Sequence, residues 1–340
     1  MNKDIKNNEH VTKIIKIILI ILIVLLLIYI IRRIWSYINE TFENKVSTKY
    51  RKIGIATTLK NPHKLNDWIR YHLTIGFSKL YIVFDDENEK FDLSNLVNKD
   101  SVMIFKSDKN WRKELEQLSN MDQFLNDKKE VMSRQILNFT NCRNYAYKDN
   151  IDWLLHIDAD ELFYPEKSNV QEIFNEEVTN TFNVISFKNY EMVPKRDDYD
   201  NCFINGIHFK TNPGSFNAYS NGKSAVKVRS PAVIAGVHDF SGSMKLLPPY
   251  GKILHYPSCN FDEYINKYKI LGKFSDKWWD NVQIPFKFHT DSRDLVTSCA
   301  NNSTDECITK AREYYNKSNV YTTSNNYNIQ VIEFAKNILN

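Results

Sequence analysis

Asp158-Ala159-Asp160-Glu161 closes the apolar run Trp153-Leu154-Leu155-His156-Ile157, and this pairing is the chain's best candidate for chemistry. Two carboxylates at i and i+2 reach one ion where a strand unwinds into a loop. Hard oxygen ligands suit Mg²⁺ or Mn²⁺, which in turn bridge phosphate oxygens. An ordinary acidic loop is the plain alternative. The apolar run before the motif and Leu162-Phe163 after it favour a site at the end of a buried strand. Other groups could serve a phosphate-bearing ligand. Asp85 or Asp86 could accept hydrogen bonds from a ribose or a base, and Arg134 and Lys267 could meet a diphosphate as cations. His238 and His255 could ligate a metal or donate to phosphate. His255, directly after Ile253-Leu254, is the better ligand.

These groups need a scaffold, and the flanking pattern is α/β. Ile53–Thr58 is short, β-branched and uncharged, as a buried strand is. Lys64–Ile75 places Leu65, Trp68, Ile69, His72 and Leu73 on one helical face, and Gly76 ends it. Lys79–Phe84 is a second strand running into Asp85-Asp86. Strand, helix and strand within about thirty residues form a βαβ unit, which implies a parallel sheet. Val102–Phe105, Trp153–Ile157, Val184–Phe187, Ala225–Val228 and Ile253–His255 are further expected strands. Glu130–Tyr147 and Asp262–Phe274 are expected helices, and Ile329–Leu339 is a closing amphipathic segment. In an open sheet of this kind ligands sit beyond the carboxyl ends of the strands, where Asp158 falls.

Composition sets the outer limits. Lys and Arg total 45 against 41 Asp and Glu, a net charge of +4, which argues against a dedicated nucleic-acid binder. With 42% hydrophobic residues over 340 positions, the chain can bury a sizeable core. Ile14–Ile31 is apolar except for Lys16 and Tyr29, and as a helix it would be ~27 Å long, enough for a bilayer's hydrocarbon core. No small-residue cleavage site follows it, so an uncleaved anchor is expected. Residues 1–13 then form a short tail, 32–50 a stem, 51–290 the main domain and 291–340 a C-terminal extension. Lysines before the segment and arginines after it leave orientation undecided. The 5 cysteines lack CxxC spacing, which argues against zinc. Cys299 and Cys307 could close a small loop in an oxidising lumen. Sequons at Asn39, Asn138, Asn301, Asn302 and Asn316 point the same way, towards a type II, lumenal arrangement.

Several motifs together resemble the GT-A glycosyltransferases grouped as family 92 and their family-2-like relatives. Lys60-Asn61 precedes Asp67-Trp68-Ile69, Tyr71-His72, Gly76 and the strand into Asp86. Arg134-Gln135, Asn141-Cys142 and Trp153 to Phe163 follow, then Gly236-Val237-His238, Ile253 to Tyr256, Lys267 and Lys273. The likeness spans about residues 52 to 280. It departs from the family at Pro62, where the family commonly has Glu, and its early acid is Asp67. The resemblance implies a GT-A-like, Rossmann-like domain with a mixed, mostly parallel sheet flanked by helices. It implies transfer of a sugar, a hexosyl group, from a nucleotide-sugar donor, with a UDP-sugar favoured. The acceptor would be a glycan, glycoprotein or glycolipid, and the anomeric centre would invert. Asp158, Asp160 and His255 would hold Mn²⁺ or Mg²⁺ against the departing diphosphate. An inverting displacement needs a carboxylate base. Asp239, beside His238, is the first choice, with Glu191, Asp197 and Asp198 as alternates. Exposed aromatics at Trp278-Trp279 and Tyr314-Tyr315 could stack on an acceptor, although core packing explains such residues more often.

Two rival classes remain. Another metal-dependent phosphoryl enzyme could use the same acidic pair, but a phosphatase of the haloacid-dehalogenase type wants its nucleophilic Asp near the first strand. A tethered module that only binds carbohydrate would not need paired carboxylates at a strand end. No GxxxxGK[ST] loop occurs, which excludes a P-loop enzyme.

Overall fold

In the computed structural model the uncharged run after Lys52 becomes the central strand of the sheet. Described are residues 26–34, 50–91, 98–167, 169–174, 181–242, 245–277, 282–301, 305–322 and 327–340. Strands β1 (Ile53–Leu59), β2 (Lys79–Phe84), β3 (Val102–Lys106) and β4 (Trp153–His156) lie in the order β3-β2-β1-β4, all parallel. β4 is buried throughout and β1 and β2 nearly so, as strands covered on both faces must be.

Helix α1 (Leu65–Thr74) crosses from β1 to β2 and buries Leu65, Trp68, Ile69, Tyr71 and His72. Gly76 follows it at φ +104°, a conformation that a side chain disfavours. α1 is fastened to β5 (Glu161–Tyr164) by polar tips as well as by packing. Trp68 Nε1 donates to the Glu161 carbonyl at 2.7 Å and Tyr71 donates to the Phe163 carbonyl at 2.8 Å. His72 spans the same gap: its Nδ1 meets the Trp68 carbonyl at 2.8 Å and its Nε2 accepts from the Phe163 amide at 3.2 Å. Burying Trp68 completely is worth about 3 kcal/mol. The acidic turn between β4 and β5 thus springs from a rigid base.

Helix α2 (Lys109–Leu115) and the long α3 (Val131–Lys148) cover the other face. Trp111 of α2 donates to Asn138 of α3 at 2.8 Å, and Asn138 donates to Thr58 of β1 at 3.1 Å. Asn138 is buried, so the sequon expected there presents no acceptor for a glycan. Asn39 and Asn302 lie outside the described residues.

Beyond β4 the sheet turns mixed. β6 (Val184–Met192) and β7 (His208–Lys210) pair antiparallel, and β8 (Lys223–Lys227) lies antiparallel between β4 and β6. A small hairpin, β9 (Val233–Ile234) with β10 (Phe240–Ser241), stands apart, and β11 (Lys245–Leu246) adds to β6. β12 (Lys252–His255) lies between β6, to which it is parallel, and β5, to which it is antiparallel, and so brings β5 into the sheet. Helices α4 (Phe261–Leu271), α5 (Lys287–Asn301) and α6 (Asp305–Asn319) share a satellite core around Tyr264, Tyr268 and Tyr315. β13 (Ile329–Val331) pairs with β7, and α7 (Phe334–Leu339) follows. The expected segment 329–339 is therefore a strand and then a helix.

Arg51–Asn340 forms one unit and Met1–Tyr50 another. The expected boundary at 290 falls inside α5, because Phe288 and Val296 of that helix complete the satellite core. The membrane anchor expected over 14–31 lies mostly outside the described residues. Only its end is described, within a helix over residues 26–34. Among the described residues no helix is long and apolar enough to cross a membrane.

Candidate active site

The turn from Ile157 to Asp160 is shaped by its own carboxylates. The Asp158 amide donates to Glu161 Oε2 at 2.7 Å, and the Tyr256 amide donates to the Asp160 carbonyl at 2.9 Å. Asp158 then projects from the end of β4 and is met from two sides. Gln135 of α3 donates to Oδ1 at 2.8 Å, and Lys223 of β8 donates to Oδ2 at 2.7 Å. Asp160 takes a hydrogen bond from Lys267 of α4 at 2.8 Å, and His255 Nε2 stands 3.6 Å from the same oxygen. Burial, the largest single effect, pushes both carboxyls upward, but Lys223 with His156 around Asp158, and Lys267 with His255 around Asp160, together outweigh it and hold them below the usual carboxylate range.

Below this pair lies a fully enclosed acid. Burial lifts the Glu161 carboxyl to about 7, Lys223 at 3.8 Å opposes that rise, and Asp158 adds to it. The Tyr219 hydroxyl donates to Glu161, and the Tyr219 ring lies between those of His238 and His255, each 4.7 Å away. Burial lowers His238 to about 3 and His156 to about 4, so both are neutral. His238 Nδ1 then donates to the Gly222 carbonyl at 2.8 Å.

Asp158 and Asp160 open onto a cleft of about 300 Å³. Its walls include Leu59 at the end of β1, Asn61 and His63 beyond it, Arg134 and Gln135 of α3, the loop Tyr256–Cys259, and Glu263, Lys267 and Ile270 of α4. Asp85 lines it too, clasped by Arg134 through Nε at 2.8 Å and a second guanidinium nitrogen at 2.8 Å. Arg134 also donates to the Lys128 and Lys129 carbonyls. It therefore orients Asp85 and has little left to offer a diphosphate. Asp86 turns outward to Lys60 at 3.5 Å and to Asn88. The disulfide Cys202–Cys259 ties the short helix Cys202–Asn205 to the cleft wall, and Cys299–Cys307 closes the small loop expected from spacing.

The structure brings Asp158, Asp160, Asp85, Arg134 and Lys267 to one cleft, with His255 beneath Asp160. It places the expected bases elsewhere. Asp239 sits on the β9–β10 hairpin and pairs with Lys245. Glu191 is wholly buried, bound to Lys210 at 2.6 Å and to the amides of Asn217 and Ala218, so it cannot reach a substrate. Asp197 pairs with Arg312 at 2.5 Å, and Asp198 pairs with Arg196 at 3.0 Å in solvent. Tyr315 is core, and Tyr314 stacks on Phe288. Trp278-Trp279 lie outside the described residues. Lys223, Tyr219, His63 and Glu263 were not singled out by sequence, because only the register of β8 and the seat of α4 bring them here.

Among the described residues no three His, Cys, Asp or Glu side chains gather as a closed metal cage. Asp160 and His255 still fit a cation of another kind. A nucleotide-bound Mn²⁺ or Mg²⁺ takes one or two protein ligands and fills the rest with phosphate oxygen and water. A carboxylate oxygen and an imidazole nitrogen facing each other suit that role.

A sequence model described as glycosyltransferase family 92 matches residues 59–312. Two glycosyltransferase-like proteins of Arabidopsis thaliana are also similar. One is 24% identical over 265 residues, covering 66% of this chain and 57% of the relative. The other is 22% identical over 239 residues, covering 59% and 46%. The chain spans about half the length of these curated relatives.

Proposed function

The chain belongs to glycosyltransferase family 92, and from that premise we propose that it transfers a hexosyl group from a UDP-sugar to a glycan or glycoconjugate hydroxyl, with inversion. The observation that carries this reading is the acidic turn at the end of β4, open to a cleft and capped by two lysines. The order β3-β2-β1-β4 followed by antiparallel β8 supports a GT-A-like domain.

Each residue of the cleft then has work suited to its chemistry. Asp85, held by Arg134, accepts hydrogen bonds from the ribose or the base. Asp160 and His255 are the residues that would hold Mn²⁺ or Mg²⁺, and a cation there supplies positive charge to the diphosphate as it leaves. Lys267 covers Asp160 here, and on donor binding its ammonium group can turn to the phosphate oxygens. Lys223, buried between Asp158 and Glu161, keeps the acidic turn from repelling itself. The two disulfides suit an oxidising compartment and support a lumenal catalytic unit, in the type II sense.

The test is calorimetric titration of the protein with UDP and with GDP, in Mn²⁺ and then in EDTA. UDP binding that needs Mn²⁺ and weakens at least tenfold in Asp160→Asn is expected. No binding of either nucleotide with Mn²⁺ present would overturn the proposal.

A further inference from the structure

We infer that Glu263 is the general base that takes the proton from the acceptor hydroxyl, and that His63 holds its carboxylate in position. This rests on the inverting-transferase reading above.

The argument begins with the charge state of the cleft. Among the described residues, the carboxylates that line it are Asp85, Asp158, Asp160 and Glu263. The first three are each neutralised by a strong cation: Arg134 at 2.8 Å, Lys223 at 2.7 Å and Lys267 at 2.8 Å. A carboxylate clasped by a permanent cation is a weak base, because the cation stabilises the charged form. Glu263 has no lysine or arginine partner among the described residues. Its side chain meets only the imidazole of His63, with Nδ1 at 2.9 Å from Oε1. Since the carboxylate accepts, Nδ1–H is the donor, and the ring can hold the acid without supplying a fixed charge.

Position agrees with chemistry. Glu263 lies in the first turn of α4, where Asn260 caps the helix by accepting from the Glu263 amide at 2.7 Å. That cap fixes the backbone from which the carboxyl projects. Lys267 is four residues further along, one turn away on the same helical face, and it reaches Asp160. Glu263 therefore stands one helical turn from the end of the cleft assigned to the diphosphate. The His63 ring is itself seated edge-on against the buried Phe203 at 6.4 Å, which steadies the imidazole that holds Glu263. The Glu263 side chain is 35% exposed, so the acceptor can reach it.

In the step itself, the acceptor O–H gives its proton to a Glu263 oxygen. The hydroxyl oxygen's electron pair forms the bond to the anomeric carbon. The bond from that carbon to the diphosphate oxygen breaks, and its pair departs with the nucleoside diphosphate. The proton then passes from Glu263 to water.

Glu263→Gln separates this role from a structural one. The carboxamide oxygen still accepts from His63, so the link between α4 and the β1–α1 loop persists, but the group cannot take a proton. The experiment uses the full chain with Mn²⁺ and UDP-glucose or UDP-galactose. It follows UDP release with added methyl hexosides and with water as acceptor, and reads the product anomer by NMR. Expected for Glu263→Gln is a fall in kcat of about 10²–10⁴-fold, with the Kd for UDP within about twofold of wild type and an unchanged Tm. Glu263→Asp should regain about tenfold over the Gln variant. A Gln variant with kcat within about threefold of an active wild type overturns the inference and leaves the transferase reading intact. A wild type that binds UDP but retains the anomeric configuration, or releases UDP from neither donor, overturns both.

Discussion

Replacing Lys223 with Met should be among the most damaging single changes in the chain, although no substrate need touch it. The ammonium group is 1% exposed and lies 2.7 Å from Asp158 and 3.8 Å from Glu161. At an effective dielectric near 20 the nearer contact alone is worth about 6 kcal/mol. Part of the loss is recovered, because Met restores apolar packing and Glu161, whose carboxyl titrates at about 7, can take up a proton. Removing one partner of such a buried cluster costs about 3–5 kcal/mol, a fall in Tm of roughly 5–15 °C for a unit of this size. Scanning calorimetry at pH 7.5 would measure it. Asp158→Asn in the Lys223→Met background should cost less than the two single changes summed, because the neutralised partner no longer lacks its cation. A Lys223→Met cost below about 1 kcal/mol, or strict additivity, would refute the ion-pair reasoning.

Other expectations follow from the same geometry. Burial pushes His72 down from 6.5 to about 3, against a small opposing effect of its bond to the Trp68 carbonyl. Its folded pKa is depressed, so its contribution is complete above pH 6.5 and is lost as pH falls towards 3. That amounts to at most about 5 kcal/mol, and urea midpoints measured from pH 7 to 4 should fall accordingly, with a shallower slope in His72→Gln. Gly222 has φ +70°, and an added Cβ would stand 1.9 Å from the Phe187 carbonyl oxygen. Gly222→Ala should therefore cost about 3 kcal/mol or more by denaturant titration, and a cost under 1 kcal/mol would contradict the backbone seen before Lys223. Asp239→Ala should leave turnover within about twofold of wild type, since its half-exposed pair with Lys245 lies outside the cleft. A large loss of kcat there would return Asp239 to the chemistry.

The parallel half of the sheet was legible because strands buried on both faces must be short, apolar and uncharged. Ile53–Thr58 was expected against the observed Ile53–Leu59, and Lys79–Phe84 fell on its observed ends. α1 was legible from its apolar spacing and from Gly76. β6 was cut short at Phe187 because Lys188, Asn189 and Glu191 break the apolar run, yet Glu191 is buried against Lys210 from the neighbouring strand. Local pattern carries no trace of such a cross-strand pair. The same holds at the site. Asp158 and Asp160 announce themselves by following an apolar strand, whereas Lys223 depends on β8 lying antiparallel beside β4. Asp239 was favoured for its neighbour His238, but the hairpin turns it to Lys245. Glu263 looks like any acid in a first helical turn until α4 is placed beside His63. Cys202–Cys259, 57 residues apart, is equally a product of tertiary structure.

The most direct test of the central claim is turnover. Wild type and Asp160→Asn would be given a panel of UDP- and GDP-sugars, each with Mn²⁺ and with EDTA, and nucleoside diphosphate release followed. The account predicts release from a UDP-hexose that stops with EDTA and falls at least 100-fold, on the order expected for a lost transition-state charge partner, in Asp160→Asn. Release that is indifferent to both EDTA and the substitution, or no release from any donor, would contradict it.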